Sequence, residues 1–162
     1  MIRRLLIANR GEIAVRIIQT CREIGIETVA VFSDADRDAL HVELADQAID
    51  IGASPALQSY LDISKVIAAA RTAGADAIHP GYGFLSQSPA FAAATADAGL
   101  IFVGPPADVM TRMGSKIEAR RLMESAGVPV VPGRVPADQS DASLVELITE
   151  LGLPVMIKAS KG

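Results

Sequence analysis

The ten residues HPGYGFLSQS, His79 to Ser88, gather an imidazole, a phenol, two glycines and three further polar side chains into one short segment. The whole chain has only two tyrosines and four phenylalanines, so placing one of each between glycines is a pointed use of scarce residues. Gly81 and Gly83 permit backbone angles and close approaches closed to other residues, and Tyr82 offers a ring face and a hydroxyl. On these residues alone two readings stand side by side. Either the segment is a ligand loop, or its glycines shape a tight turn while Tyr82 and Phe84 seal the edge of a core.

Two lysines and a second loop join the list. Lys116 falls in the first turn of a predicted helix, where the helix dipole disfavours a cation by a few tenths of a kcal/mol, and a bound anion such as phosphate would offset that cost. Lys158 follows an apolar run and precedes Ala159-Ser160-Lys161-Gly162, a sequence able to open a glycine-rich phosphate loop. For both, a solvated surface lysine is the simpler reading. The loop NRGE, Asn9 to Glu12, invites a dinucleotide reading because the acidic SDADRD stretch follows the next strand. Gly11 stands alone where that fingerprint needs three glycines, which leaves an oxidoreductase weakly supported. His79, at a strand end before Pro80, reads as a hydrogen-bonded structural histidine, and His41 as a packing or capping residue.

The elements that position these residues alternate in type. RLLIA (Arg4 to Ala8), ETVAVF (Glu27 to Phe32), QAIDI (Gln47 to Ile51), ADAIH (ending at His79) and LIFVG (Leu100 to Gly104) are short apolar runs closed by turn residues. Segments of helical period lie between most of them, such as Ile63, Val66, Ile67, Ala70 and the stripe Ala14, Ile17, Ile18, Cys21, which makes Cys21 a buried structural thiol. Repeated strand, helix, strand order implies an α/β fold, a Rossmann-like doubly wound parallel sheet. Ligands of such sheets bind beyond the carboxyl ends of the strands where the strand order reverses. With the order 3-2-1-4, the loops at that point are NRGE and HPGYGFLSQS.

Ser88-Pro89 predicts one helix start and SKIE (Ser115 to Glu118), a capping-box pattern, another. The second helix ends at Gly127, and VPVVPG (Val128 to Gly133) cannot continue it. Beyond, Leu144, Leu147, Ile148 and Leu151 mark one face of a further helix, with a strand expected over Pro154 to Ala159. One helix and one strand cannot bury such faces alone, so this stretch reads as the opening of a second domain.

Composition sets the bounds. The 162 residues are 50% hydrophobic and 21% charged, those of an ordered globular chain. A net charge of -4 gives no electrostatic reason to expect nucleic acid or an anionic membrane surface as a partner. The apolar run at the N-terminus is cut by Asn9 and Arg10 below signal-peptide or membrane length, and one cysteine forms no internal disulfide, so the expected location is cytoplasmic.

Seven segments in order, LIANRGEIAVRII, AVFSDADRDALHVELAD, SYLDISKVI, AIHPGYGFLSQSPAFA, IFVGPP, MGSKIEAR and AGVPVVPG, resemble the N-terminal part of biotin carboxylase, as found in acyl-CoA, pyruvate and urea carboxylases. The resemblance spans essentially the whole chain. It implies a Rossmann-like domain over 1–113, a connecting helix and proline-rich linker over 114–133, and the truncated start of an ATP-grasp domain over 134–162. It further implies a ligase that uses MgATP to activate bicarbonate and carboxylates biotin held by a carrier domain or protein, the product then serving a carboxyltransferase. By the same resemblance Lys116 and Lys158 contact ATP, while Tyr82, Gly83 and Gln87 face the biotin and bicarbonate pocket. Arg16, Gln19 and Glu23 lie on the helix that resembles the family's dimer-forming one. No catalytic base and no magnesium ligand of the family falls within these residues, so the chain by itself is expected to be inactive. Two positions depart from the pattern: Gln87 replaces a usual glutamate, and Gln19 stands where a basic residue is common. Another ATP-grasp ligase, such as a carbamoyl phosphate synthetase, and a non-catalytic binding or dimerisation module are the alternatives.

Overall fold

The computed structural model describes residues 1–136, 138 and 140–158, which fall into two compact units, Met1–Met110 and Thr111–Gly162. The first unit is built on a five-stranded sheet of β1 (Arg4–Ile7), β2 (Glu27–Phe32), β3 (Gln47–Asp50), β4 (Ala77–His79) and β5 (Ile101–Phe102). Every pairing is parallel and the order is β3-β2-β1-β4-β5. The chain therefore runs outward from β1 through β2 to β3, then returns to lay β4 on the other side of β1. The reversal of order falls between β1 and β4, as the sequence implies.

Strand alternation assigns each apolar run to two faces. Leu6, Ala8, Val29, Val31 and Ile78 point to one side and pack with Val66, Ala69 and Ala70 of α3 (Ile63–Thr72) and Phe91 of α4 (Pro89–Asp97). Leu5, Ile7 and Ala77 point to the other, where Ala14, Ile18 and Cys21 of α1 (Gly11–Glu23) cover them. Burial pushes the Cys21 thiol up, and Asp46 adds to the shift, so it stays a protonated apolar filler. Runs apolar on both faces are what a sheet covered on both sides requires.

The helices turn the chain directly into the next strand. After α1, α3 and α4 the chain passes through Gly25, Gly74 and Gly99 at positive φ. The N–H of the following Ile26, Ala75 or Leu100 donates back to Cys21, Ala70 or Thr95 at 2.8, 2.9 and 3.1 Å, satisfying carbonyls the helix end would otherwise leave unpaired. Ser88 caps α4 as expected, its Oγ accepting from the Phe91 N–H at 3.2 Å with Pro89 in the first turn. Some strands are shorter than their apolar runs. β5 covers only Ile101–Phe102 of the LIFVG stretch, because the Gly104 N–H turns back to the Phe102 carbonyl at 3.0 Å and ends the ladder. A short helix, α2 (Leu40–Leu44), crosses beside α1, and α5 (Ala107–Met113) follows β5.

The second unit holds α6 (Lys116–Ser125) and α7 (Asp141–Leu151). Ser115 Oγ accepts from the Glu118 N–H at 3.3 Å, whereas the Glu118 carboxylate accepts from Arg121 at 3.1 Å. The Val128 N–H donates to the Met123 carbonyl at 3.0 Å and stops α6 ahead of the proline-rich run. Leu144, Leu147 and Ile148 are half-buried along one face of α7, but Leu151 is exposed. The strand expected over Pro154 to Ala159 is absent from residues 154–158, and Ala159 lies outside the described residues. A strand exists through its ladder, and among the described residues of this unit no strand is present to pair with them. Among the described residues no helix is long and apolar enough to cross a membrane.

Candidate functional site

The site grows from the pairing of β1 with β4. Ile7 lies opposite His79, and the Ala8 N–H donates to the His79 carbonyl at 2.9 Å, so the loops that follow leave the sheet side by side. Asn9, only 4% exposed, projects from the first loop into the second. Its Nδ2 donates to the Pro80 carbonyl at 2.9 Å and to the Tyr82 carbonyl at 2.7 Å, and its Oδ1 accepts from the Arg10 N–H at 2.9 Å. One side-chain amide thus has both donors and an acceptor engaged, and the HPGYG segment wraps around it.

The glycines of that segment do different jobs. Gly81 has φ +66°, and a Cβ there would lie 2.7 Å from Asn9 Nδ2 and 3.0 Å from Asn9 Cβ and Cγ. Only a residue without a side chain lets the backbone close over the Asn9 amide. Gly83 has nearly the same φ, +65°, with open space beside it, so its demand is conformational alone. The Gly81 N–H donates to His79 Nδ1 at 3.0 Å, which requires an unprotonated Nδ1. Burial holds His79 below the usual histidine range, consistent with the neutral ring. His79 is a structural histidine of the loop, as the sequence reads it.

Tyr82 is 59% exposed, yet its hydroxyl donates to Glu12 Oε1 at 2.8 Å, in the first turn of α1. That bond raises the Tyr82 hydroxyl above the ordinary tyrosine value. Gly83 and Gln87 are exposed on the same loop as Tyr82. The structure divides the two aromatic residues of HPGYGFLSQS between surface and core. Tyr82 is presented outward, whereas Phe84 turns inward at φ +43° and stacks on Tyr60 with ring centroids 5.1 Å apart and an interplanar angle of 5°.

Beneath the loop lies a polar network. Tyr60 is 1% exposed; its hydroxyl donates to Asp36 Oδ2 at 2.7 Å and accepts from the Ser33 N–H at 3.2 Å. Ser33 Oγ donates to the same Asp36 oxygen at 2.8 Å, and Arg10 Nη1 reaches Asp36 Oδ1 at 3.0 Å. The Arg10 guanidinium stands over the Tyr60 and Phe84 rings, 5.6 and 5.8 Å from their centroids. Burial pushes the Asp36 carboxyl up, but hydrogen bonds from Tyr60, Ser33 and Arg10 outweigh it and hold it below the usual carboxylate range. Burial, with Asp36 beside it, drives the Tyr60 hydroxyl far above the tyrosine value. Asp36 belongs to the acidic stretch that suggested a ribose contact. Its oxygens are instead committed to this network, so Asp36 is not free to meet a ribose. Close by, His41 is fully buried with its Nε2 3.3 Å from the Val31 carbonyl.

Sequence reasoning missed Asn9 as an anchor and passed over Tyr60 entirely. The signal for Tyr60 was its scarcity, one of two tyrosines in a chain without tryptophan. Of the other expected site residues, Arg16, Gln19 and Glu23 are exposed on one face of α1. Lys116 opens α6 and Lys158 lies in irregular chain past α7, both exposed in the second unit. Among the described residues no group of three or more His, Cys, Asp or Glu stands close enough to hold a metal ion, and no metal role is assigned to them.

A doubly wound sheet with a tyrosine loop held at its order reversal defines the class, and comparison with known proteins gives the family. Residues 1–110 match the family described as biotin carboxylase, N-terminal domain, and residues 115–162 match the ATP-binding domain of the carbamoyl-phosphate synthase L chain. The chain belongs to the biotin carboxylase N-terminal domain family. It is 52% identical over 162 residues to biotin carboxylase 1 of Bacillus subtilis, covering 100% of this chain and 36% of that protein. It is 51% identical to the propionyl-CoA carboxylase alpha chain of Ruegeria pomeroyi, covering 100% of this chain and 24% of that one. Among solved structures, the biotin carboxylase domain dimer of Hydrogenobacter thermophilus 2-oxoglutarate carboxylase, in complex with MgADP, ADP and bicarbonate, aligns with a TM-score of 0.90 at 42% identity, over 100% of this chain and 36% of that one. The chain thus spans about a third of the length of the Bacillus relative.

Proposed function

We propose that the protein carrying this chain is a biotin carboxylase, an ATP-dependent ligase that activates bicarbonate with MgATP and carboxylates biotin borne on a carrier. The observation that supports this reading most is the alignment of all 162 residues, at a TM-score of 0.90, with a biotin carboxylase domain whose structure contains MgADP and bicarbonate. In this reading the N-terminal domain runs over 1–113, a helix and linker over 114–133, and the ATP-grasp portion begins at 134. Tyr82, Gly83 and Gln87 line the biotin and bicarbonate side. The exposed phenol supplies a ring face for the apolar part of biotin, and the open space at Gly83 lets a ligand approach the backbone.

Lys116 and Lys158 bind ATP, as compact cations suited to phosphate oxygens whose charge grows during phosphoryl transfer. The α1 face bearing Arg16, Gln19 and Glu23 forms a homodimer contact, the carboxylated carrier passes to a carboxyltransferase, and the protein works in the cytoplasm. Magnesium and the catalytic base are held by residues other than those assigned above.

The test is steady-state kinetics on the full-length protein. Lys116→Ala and Lys158→Ala should each raise KM for ATP by about tenfold or more, the worth of one charge-assisted contact, while KM for biotin stays within twofold. Unchanged ATP kinetics in both variants would remove the assignment. A second reading, a carbamoyl phosphate synthetase, takes its support from the match of residues 115–162, and it requires ammonia rather than biotin to stimulate ADP release.

A further inference from the structure

We propose that Asn9, in the β1–α1 loop, and Glu12, in the first turn of α1, are positioning residues for biotin: Asn9 fixes the backbone of the HPGYG loop and Glu12 fixes the Tyr82 ring. The proposal rests on the reading that Tyr82 and Gly83 face biotin, and adds how that face is held in place. Neither residue needs to touch the substrate.

First, the tip of the loop that carries Tyr82 is built from residues whose backbone favours no single conformation. Gly81 and Gly83 flank the tyrosine at positive φ, so the peptide on either side of Tyr82 has a wide choice of conformations unless something outside removes it. Second, a side chain from outside the loop supplies most of that restraint. Asn9 Nδ2 spends one hydrogen on the Pro80 carbonyl and the other on the Tyr82 carbonyl, bracketing Gly81, and its Oδ1 is tied to the Arg10 N–H. Asn9 is buried, and its backbone follows β1 at the centre of the sheet, so the loop is referenced to the most rigid part of the unit. The His79 acceptor for the Gly81 N–H closes the same turn from the other side.

Third, the Tyr82 ring is exposed, and an exposed phenol normally satisfies its hydroxyl with water and samples several rotamers. This one donates to a carboxylate in the first turn of α1, and α1 is itself clamped to the sheet through Ala14 and Ile18. A charge-assisted bond of 2.8 Å to a fixed helix selects one ring orientation. Backbone and ring are therefore pinned by two residues three apart in the chain. Affinity for a ligand that must meet the ring then includes no ordering cost for the loop.

The experiment is biotin kinetics on the full-length enzyme with three variants. Glu12→Gln leaves size and shape but removes the charge from an exposed position. Asn9→Asp is isosteric and turns two donors into an acceptor facing two carbonyls. Tyr82→Ala reports on the underlying reading. The expected result is a rise in KM for biotin of about fivefold for Glu12→Gln and about thirtyfold for Asn9→Asp, with KM for ATP within twofold in both. A residue with a merely structural role would instead lower kcat or shift both KM values together. If Tyr82→Ala raises the biotin KM but the Asn9 and Glu12 variants do not, the positioning role is overturned and the biotin-facing reading stands. If Tyr82→Ala itself leaves the biotin KM unchanged, that reading fails and the positioning role falls with it. Should Asn9→Asp not fold, Glu12→Gln decides alone.

Discussion

Gly81 and Gly83 offer a controlled comparison, because their φ angles differ by one degree while their surroundings are opposite. Alanine at Gly83 enters the left-handed region with no neighbour within 4 Å, so it should cost only the backbone penalty, about 1–2 kcal/mol. Alanine at Gly81 carries the same penalty and also drives its Cβ to 2.7 Å from Asn9 Nδ2. Asn9 cannot yield cheaply, since its own Cβ and Cγ are as close as 3.0 Å and three hydrogen bonds hold the amide. Displacing it weakens two bonds worth roughly 1 kcal/mol each and exposes a buried donor to the further cost of going unpaired, so Gly81→Ala should cost about 3–5 kcal/mol. The two variants should therefore differ by about 2 kcal/mol or more, which is roughly 1 M in the urea midpoint followed by far-UV circular dichroism at a typical slope. Equal midpoints for the two variants would refute the Asn9 anchor, because the backbone term alone would then account for both.

Three further outcomes follow from the same geometry. His79 and His41 both have pKa values lowered by burial beneath the ordinary 6.5, so between the folded and unfolded values the unfolded chain binds more protons. Stability should fall as pH drops below about 6.5, and again below about 4 where Asp36, Asp46 and Asp76, whose pKa values are lowered from 3.8, take up protons, as denaturation midpoints measured across pH will show. Tyr60→Phe removes the partner of the buried Ser33 N–H and one donor to Asp36, and should cost about 1–3 kcal/mol in the same assay. In the 162-residue chain, which has no tryptophan, tyrosinate absorbance should show Tyr82 titrating well before the buried Tyr60, and Glu12→Gln should move the first midpoint to lower pH. A first midpoint unmoved by Glu12→Gln would show that the Tyr82 hydroxyl is not held by that carboxylate.

The parts legible in the sequence are those set by local chemistry. The apolar runs, the stripes of α1 and α3, and the Ser88 and Ser115 caps all depend on near neighbours, and the structure has an element at each of them, with β4 and β5 shorter than their runs. The order of the strands was legible too, and with it the meeting of NRGE with HPGYGFLSQS at the reversal. The bonds that hold that meeting together were not. Asn9 is separated from Pro80 and Tyr82 by 71 and 73 residues, and Tyr60 from Asp36 by 24, so no local pattern announces them. The strand expected at 154 to 159 fails over its described residues for the converse reason: PVMIK has the right composition, but a strand is completed by a neighbour and the described residues of this unit present none. The ATP contacts proposed for Lys116 and Lys158 rest on the family resemblance, since an exposed lysine looks the same with or without a phosphate to bind.

The central claim is that the loop held by Asn9 belongs to an enzyme that carboxylates biotin. The most direct measurement is the transfer of labelled bicarbonate to free biotin by the full-length protein in the presence of MgATP. Acid-labile label on biotin is expected, formed only when ATP and biotin are both present, with one ADP released per carboxyl group fixed. ADP release that requires ammonia and leaves biotin unlabelled would contradict it.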